Sequence, residues 1–264
     1  LEPGAAGAFL HNLGPRMNAI WGKPKAFVVV SPHTATMAPV VLGASRHETI
    51  HDFGGFPEPL YRVRYDTAGE PDVAHRVADL MAGLPGGCRW LDRGGLDHGI
   101  WTLLMHLHPA GDVPVVPLSL TPHASPQQLM QQGQALQALR AENVQIIGSG
   151  SLTHNLRRFF ESPEPVDAAE DDDCFAFREW VRDKAETADW DALLRYRSLA
   201  PYAVEMHPTD EHWLPFYLAA GAACNPGDNT PQVARRIHSG VTHVHLAMDG
   251  YVFASSSEAL EGLV

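Results

Sequence analysis

The sequence predicts an α/β fold: a central, mostly parallel sheet with helices on both faces, in a single domain. Three observations lead there. The run AFVVVS, residues 26–31, is apolar and β-branched without alternation, as a strand buried on both faces should be. Strand-like runs alternate along the chain with segments of helical periodicity, the order that a parallel sheet with crossover helices requires. The 264 residues, 45% of them apolar, suit one large α/β domain or two small ones and can bury a substantial core.

The elements follow in order. LEPGAAGAFLHNLG, at the start, reads as helix. PDVAHRVADLMAGL (71–84) has helical periodicity, and HGIWTLLMHLH (98–108) is a helix opened by Asp97. DVPVVPLSL (112–120) is a strand. SPQQLMQQGQALQALRAE (125–142) is one helix, with Ser125 as cap and Pro126 at its first position. VQIIGSGS (144–151) is a strand running into a Gly/Ser turn. AAEDDDCF (168–175) is a loop and helix start, where Asp residues complement the helix dipole; it lacks the spacing of a calcium loop. FAFREWVRDKAETADWDALLRYR (175–197) forms one or two helices, and DEHWLPFYLAAGAA (210–223) a helix capped by Thr209. THVHLAMDGYVFAS (242–255) is a strand pair around an Asp-Gly turn. No repeat, low-complexity tract or linker interrupts the series.

A formal net charge of −12 argues against nucleic acid or an anionic membrane surface as the main partner. It leaves a cationic or neutral small substrate. No apolar run approaches the roughly 18 residues of a membrane span. Cys88, Cys174 and Cys224 are odd in number and show no C-x-x-C spacing, which suggests neither a zinc knuckle nor a disulfide framework. Reduced thiols in a cytoplasm fit best, and no signal peptide is seen.

The 15 histidines are the chemical signal. In open α/β sheets, sites form at the carboxyl ends of strands. His33 ends AFVVVSPH, and His154 follows the strand VQIIG. His98 opens a helix in GLDHG, and His212 falls in the first turn of the helix after HPTD. A neutral imidazole ligates first-row metals and also moves protons near neutral pH. Each of the four is open to three readings: ligand, base, or hydrogen-bonded turn residue. His51 and Asp52, in HDFGGFP, lie in a loop near the site. His243 and His245 share a strand face at i,i+2, a spacing zinc hydrolases use, against the plainer reading of a polar outer strand. His106 and His108 complement a helix C-terminus. GSGS (148–151) has neither the phosphate-loop nor the nucleophile-elbow context.

PKAFVVVSPH, ETIHDFGGFPEPLYRVRYDTAGEP, GLDHGIWTLLMHLHPAGDVPVVPLSL, GSGSLTHNLR and HPTDEHWLP together resemble the class III (LigB-type) extradiol ring-cleavage dioxygenases, on the branch that includes the DOPA-extradiol dioxygenases. The likeness runs from about Leu1 to about Phe253. It implies a non-haem Fe(II) site, or Zn(II) in its place, on an α/β sheet. By motif it makes His33 and His212 metal ligands, His154 the base toward a substrate hydroxyl, and His98 a second catalytic histidine that orients substrate or oxygen. It places His51, Asp52 and Phe53 at the substrate; Phe53, Phe56 and Trp213 are aromatic candidates to hold the ring, each against the plainer reading of core. The implied reactants are a catecholic substrate and O₂, with a homodimer left open.

Two departures accompany the resemblance. The family's first ligand lies in a G-H-G-S-P turn after an N-terminal strand, whereas this sequence opens on the segment that follows such a turn. The expectation is one catalytic domain over 1–264 without that strand and ligand; His11 is the sole upstream histidine and falls in the helix. Thr34 stands where many relatives carry an aromatic. The rival readings are a zinc-dependent hydrolase on the same sheet and a non-catalytic binding relative that lost a ligand.

Overall fold

The computed structural model describes residues 4–231 and 233–263, which group into two compact units. The first holds the chain through Ala124 together with Ala135–Ser149; the second holds Ser125–Gln134 and the chain from Gly150 on.

In the first unit, helix α1 (Ala5–Trp21) precedes strand β1 (Ala26–Ala35), which is followed by β2 (Val40–Leu42), β3 (Arg46–His47), β4 (Thr67–Ala68), helix α2 (Pro71–Met81), β5 (Arg89–Leu91), helix α3 (His98–Leu107), β6 (Val115–Leu120) and β7 (Val144–Gly148). Five strands form one sheet in the order β5-β2-β6-β1-β7. β1 runs parallel to β6 and β7, and β2 parallel to β5; only the β2–β6 pair is antiparallel. This is the mostly parallel sheet the sequence predicts. Val28, Val29 and Val30 are fully buried at its centre, each side chain stabilising the fold by about 1.5–3 kcal/mol. α3 packs against β1, and α1 against α3 through Gly14, where a Cβ would lie 1.9 Å from the Leu107 carbonyl oxygen.

β1 runs four residues past the expected end at Ser31. Its register with β6 passes from Ser31↔Ser119 directly to Ala35↔Leu120, so Pro32, His33 and Thr34 form a bulge. Pro32 has no N–H to give a ladder, and a bulge is where a strand tolerates that. A bulge also re-aims the side chains beside it.

The second unit carries most of the helices: α4 (Pro126–Ala135), α5 (Leu156–Glu161), α6 (Asp172–Glu186), α7 (Trp190–Leu194), α8 (Tyr196–Leu199), α9 (Ala203–Met206) and α10 (Pro215–Ala222). Two hairpin-like pairs complete it, β8 (Val233–His238) with β11 (Gly250–Ala254), and β9 (Val241–Thr242) with β10 (Leu246–Ala247). α4 and α10 touch backbone to backbone: a Cβ at Gly133 would lie 2.0 Å from the Leu218 oxygen, and one at Gly221 2.0 Å from the Met130 oxygen.

Several expected elements differ. The helix expected over 125–142 ends at Ala135, where the chain passes from one unit to the other, and a 3-10 turn (Gln137–Glu142) follows. The segment 175–197 holds three helices, because Ala188 takes a φ of +57° and Asp189 caps a new start by accepting from the Ala192 N–H. The helix expected from 210 begins at Pro215, whose missing N–H costs nothing in a first turn. Thr209 does not cap it; its hydroxyl donates to Glu211 Oε1 at 2.9 Å. Asp249-Gly250 joins β10 to β11, which do not pair with each other. Among the described residues, no helix is long and apolar enough to cross a membrane. Cys88, Cys174 and Cys224 are not joined in disulfides.

Candidate functional site

In the first unit the β1 bulge and the start of α3 bring His33, Asp52 and His98 together, with one ligand atom from each lying within 4.8 Å of the other two. The local cause is Asp97. As N-cap it accepts from the Ile100 N–H, while the same carboxylate takes the Ser31 hydroxyl at 2.8 Å and the Thr34 hydroxyl at 2.5 Å. Ser31 precedes the bulge and Thr34 lies in it, so Asp97 fastens β1 to α3. Thr34 thus has a tying role. Gly99 makes the approach feasible: a Cβ there would lie 2.5 Å from Ser31 Oγ and 3.1 Å from His33 Cδ2.

The two imidazoles of this group lie with ring centres 3.9 Å apart. Asp52 Oδ1 accepts from the His98 backbone N–H at 2.8 Å, and Oδ2 lies 3.0 Å from His98 Nδ1. The same Oδ2 is 3.9 Å from His33 Nδ1. Phe53 stands edge-on to the His98 ring at 5.5 Å and beside Tyr61 at 5.2 Å. Phe56 is 5.4 Å from Phe53 and 56% exposed. His51 turns away from the pair: its Nε2 lies 3.0 Å from the Val63 carbonyl, and the Arg64 guanidinium is 3.3 Å from both ring nitrogens. Asp52 therefore faces His98, and Phe53 is the ring nearest to it among the three loop residues the resemblance places at the substrate.

In the second unit His154, Glu211 and His212 form a second group, again with one ligand atom from each within 4.8 Å of the others. The His154 and His212 rings stack at 3.4 Å with 8° between planes. Backbone bonds set this. The His154 N–H donates to the Met206 oxygen, and the Ser151 N–H to the His212 oxygen. Gly150 is required for the second contact, since its Cβ would lie 2.2 Å from the His212 oxygen. Asn155 caps α5 through the Arg158 N–H and donates to the Glu205 oxygen. Glu211 Oε1 lies 3.3 Å from His212 Nδ1; this bond first, then its own backbone N–H and Thr209, hold the Glu211 carboxyl down at about 2 against the cost of burial.

Several other histidines lie outside the two groups. His47 is fully buried; its Nδ1 accepts from the Gly95 N–H, and burial lowers its pKa. His108 pairs with Asp112 at 3.0 Å. His11 lies on α1, exposed. His243 and His245 do not share a strand face: they sit in the turn between β9 and β10, where His243 and Val244 both take positive φ. Trp213 is core, stacked on Phe216 at 4.4 Å with its indole N–H on the Tyr217 hydroxyl. Sequence reasoning named neither Glu211 nor Asp97 as a site residue. Their signal was adjacency, Glu211 beside His212 in DEHW and Asp97 beside His98 in LDHG.

Each group offers two imidazoles and one carboxylate. That donor chemistry fits Fe(II), whose oxygenase sites use such sets with positions left open, and equally fits Zn(II).

The family model described as the catalytic LigB subunit of aromatic ring-opening dioxygenase matches residues 5–253. The chain is 35% identical over 237 residues to a 4,5-DOPA dioxygenase extradiol of Beta vulgaris, covering 89% of this chain and 84% of that one. It is 34% identical over 209 residues to the protein of the same description in Escherichia coli K12, covering 76% and 73%. Among solved structures, an uncharacterized protein from Escherichia coli K12 superposes with a TM-score of 0.72 at 25% identity, over 96% of this chain and 94% of that one. The motifs on which both histidine groups are built lie inside the matched span, and the chain belongs to the LigB family of extradiol aromatic ring-opening dioxygenases, on its DOPA-extradiol branch.

Proposed function

We propose that this chain opens the ring of a catecholic substrate beside its two hydroxyls, using O₂ and a bound non-haem Fe(II). The observation that carries the reading is the pair of histidine–carboxylate groups, each built on motifs of a ring-opening dioxygenase family. The relatives' description as acting on DOPA supports a catechol. His33 and His212 are the proposed ligands, on the strength of their motifs. Zn(II) suits the same donors but is redox-inert, so iron is the metal proposed for O₂ chemistry.

When bound, the metal supplies charge stabilisation for a catecholate and so eases loss of its first proton. The chain's own residues do the rest. His154 takes the proton of the second hydroxyl, the work of a general base near neutral pH. His98 takes up a proton at a ring nitrogen, and in that form orients the oxygen or returns the proton to the product. Phe53 holds the aromatic ring.

Anaerobic loading with Fe(II), followed by a catechol panel including DOPA and then O₂, tests the proposal. Stoichiometric O₂ uptake with a yellow ring-fission product is expected. No uptake with any catechol despite bound iron would sink it. His154→Ala should keep the metal and lose at least about 100-fold in turnover, the usual scale of a lost acid–base group; full retained rate would remove His154 from the mechanism.

A further inference from the structure

We propose that Asp52 is a positioning residue: it fixes His98 in one orientation and one tautomer, with the proton on Nδ1 and Nε2 bare. Both carboxylate oxygens are committed to His98. Oδ1 takes the backbone N–H at 2.8 Å, and Oδ2 faces ring Nδ1 at 3.0 Å. A carboxylate only accepts, so Nδ1 must be the donor. A neutral imidazole protonated there keeps its lone pair on Nε2.

The backbone bond makes the clamp rigid. The His98 N–H is one of the orphan donors of the first turn of α3. Asp97 satisfies Ile100 of that turn and Asp52 satisfies His98 itself, so the carboxylate is anchored to the same residue whose ring it holds. Two rings flank the imidazole, Phe53 edge-on at 5.5 Å and His33 at 3.9 Å. His33 Nδ1, 3.9 Å from Oδ2, is beyond hydrogen-bond reach. The geometry thus assigns Asp52 to His98 in preference to substrate. It also disfavours Asp52 as a metal ligand, because a ligand oxygen would have to leave a bond it already makes.

The decisive measurement uses metal-free, ¹⁵N-histidine-labelled protein. Long-range ¹H–¹⁵N spectra, with His98 assigned through His98→Gln, should show a protonated Nδ1 and a bare Nε2. In Asp52→Asn the amide offers an N–H in place of one oxygen, and His98 should move to the Nε2–H tautomer. Exchanging the carboxylate behind a catalytic histidine for an amide has this effect elsewhere. Asp52→Ala, which removes the acceptor altogether, serves should the Asn variant not fold: His98 should then no longer be held as the Nδ1–H tautomer. An unchanged tautomer overturns the proposal.

The kinetic arm rests on the dioxygenase reading. In iron-loaded Asp52→Asn, kcat should fall about 10- to 100-fold, as for other residues that hold a working histidine, with KM and iron content little changed. The same exchange in a His98→Gln background should add nothing. Additive losses, or loss of the iron, overturn the proposal. The spectra need neither metal nor substrate. Wild-type protein that takes up no O₂ would therefore defeat the dioxygenase reading, while the tautomer result still decides the role of Asp52.

Discussion

Gly99 shows how much of the site rests on a missing side chain. Its neighbours, Ser31 Oγ at 2.5 Å and His33 Cδ2 at 3.1 Å from an added Cβ, are themselves tied, Ser31 by its bond to Asp97. Gly99→Ala forces Ser31 to rotate out of that bond or α3 to back away from the bulge. The expected cost is about 1–3 kcal/mol, the range for overpacking a tight contact, together with a lower kcat; urea midpoints and O₂ uptake measure both. An unchanged midpoint and rate would show that Ser31 yields freely. At this scale the sequence was informative about some residues and silent about others. His33, His98, His154 and His212 stood out because strand ends and helix starts are visible locally. The partner of His98 was not visible: Asp52 is 46 residues away, and nothing in HDFGGFP says which group its carboxylate meets. His51 and Asp52 are adjacent in sequence yet face different partners, Val63 and Arg64 for one and His98 for the other.

The element that organises the first histidine group is the junction of β1 and α3, and Asp97 is its joint. Asp97→Ala removes the helix cap and leaves the buried Ser31 hydroxyl without its acceptor, at an expected cost of about 2–4 kcal/mol. Thr34→Val keeps the shape and loses one bond to a charged acceptor, and should cost less, about 1.5–3 kcal/mol. Chemical denaturation of both variants checks the order; a larger effect at Thr34 would mean the bulge, and not the cap, is the weaker part. α3 was legible because its cap, its apolar spacing and its length all point one way. Elements that depend on distant compensation were not. β8, VARRIH, carries two arginines and has no place in the series of elements the sequence predicts; Arg236 finds Glu179 at 2.8 Å and Asp249 at 3.3 Å only once the chain has folded. The β9–β10 turn hides for a different reason. Val244 at φ +61° is a conformation β-branched residues avoid, so local preference points to the extended strand the sequence predicts there.

At the scale of the whole molecule, acid should weaken the fold through His207. This side chain is fully buried, its Nε2 donating to the Leu152 carbonyl at 2.7 Å, with the Phe177 and Trp213 rings 5.8 and 6.1 Å away. Burial pushes its pKa down to about 4, against the partial compensation of the Leu152 bond. The folded value lies below the unfolded one, about 6.5, so between the two the unfolded chain binds the extra proton and the native one does not. Stability from this group is intact above pH 6.5 and falls as the pH drops toward 4, by about 3 kcal/mol in all. The net charge of −12 acts the other way, since protonating carboxylates relieves repulsion in so acidic a chain, and the wild-type profile alone mixes the two. His207→Gln separates them: the amide can still donate toward Leu152 but does not titrate. Urea midpoints of wild type and variant should converge as the pH falls from 7 to 4, because only the wild type loses the His207 contribution. Parallel profiles would mean that His207 takes up its proton without unfolding the residues around it.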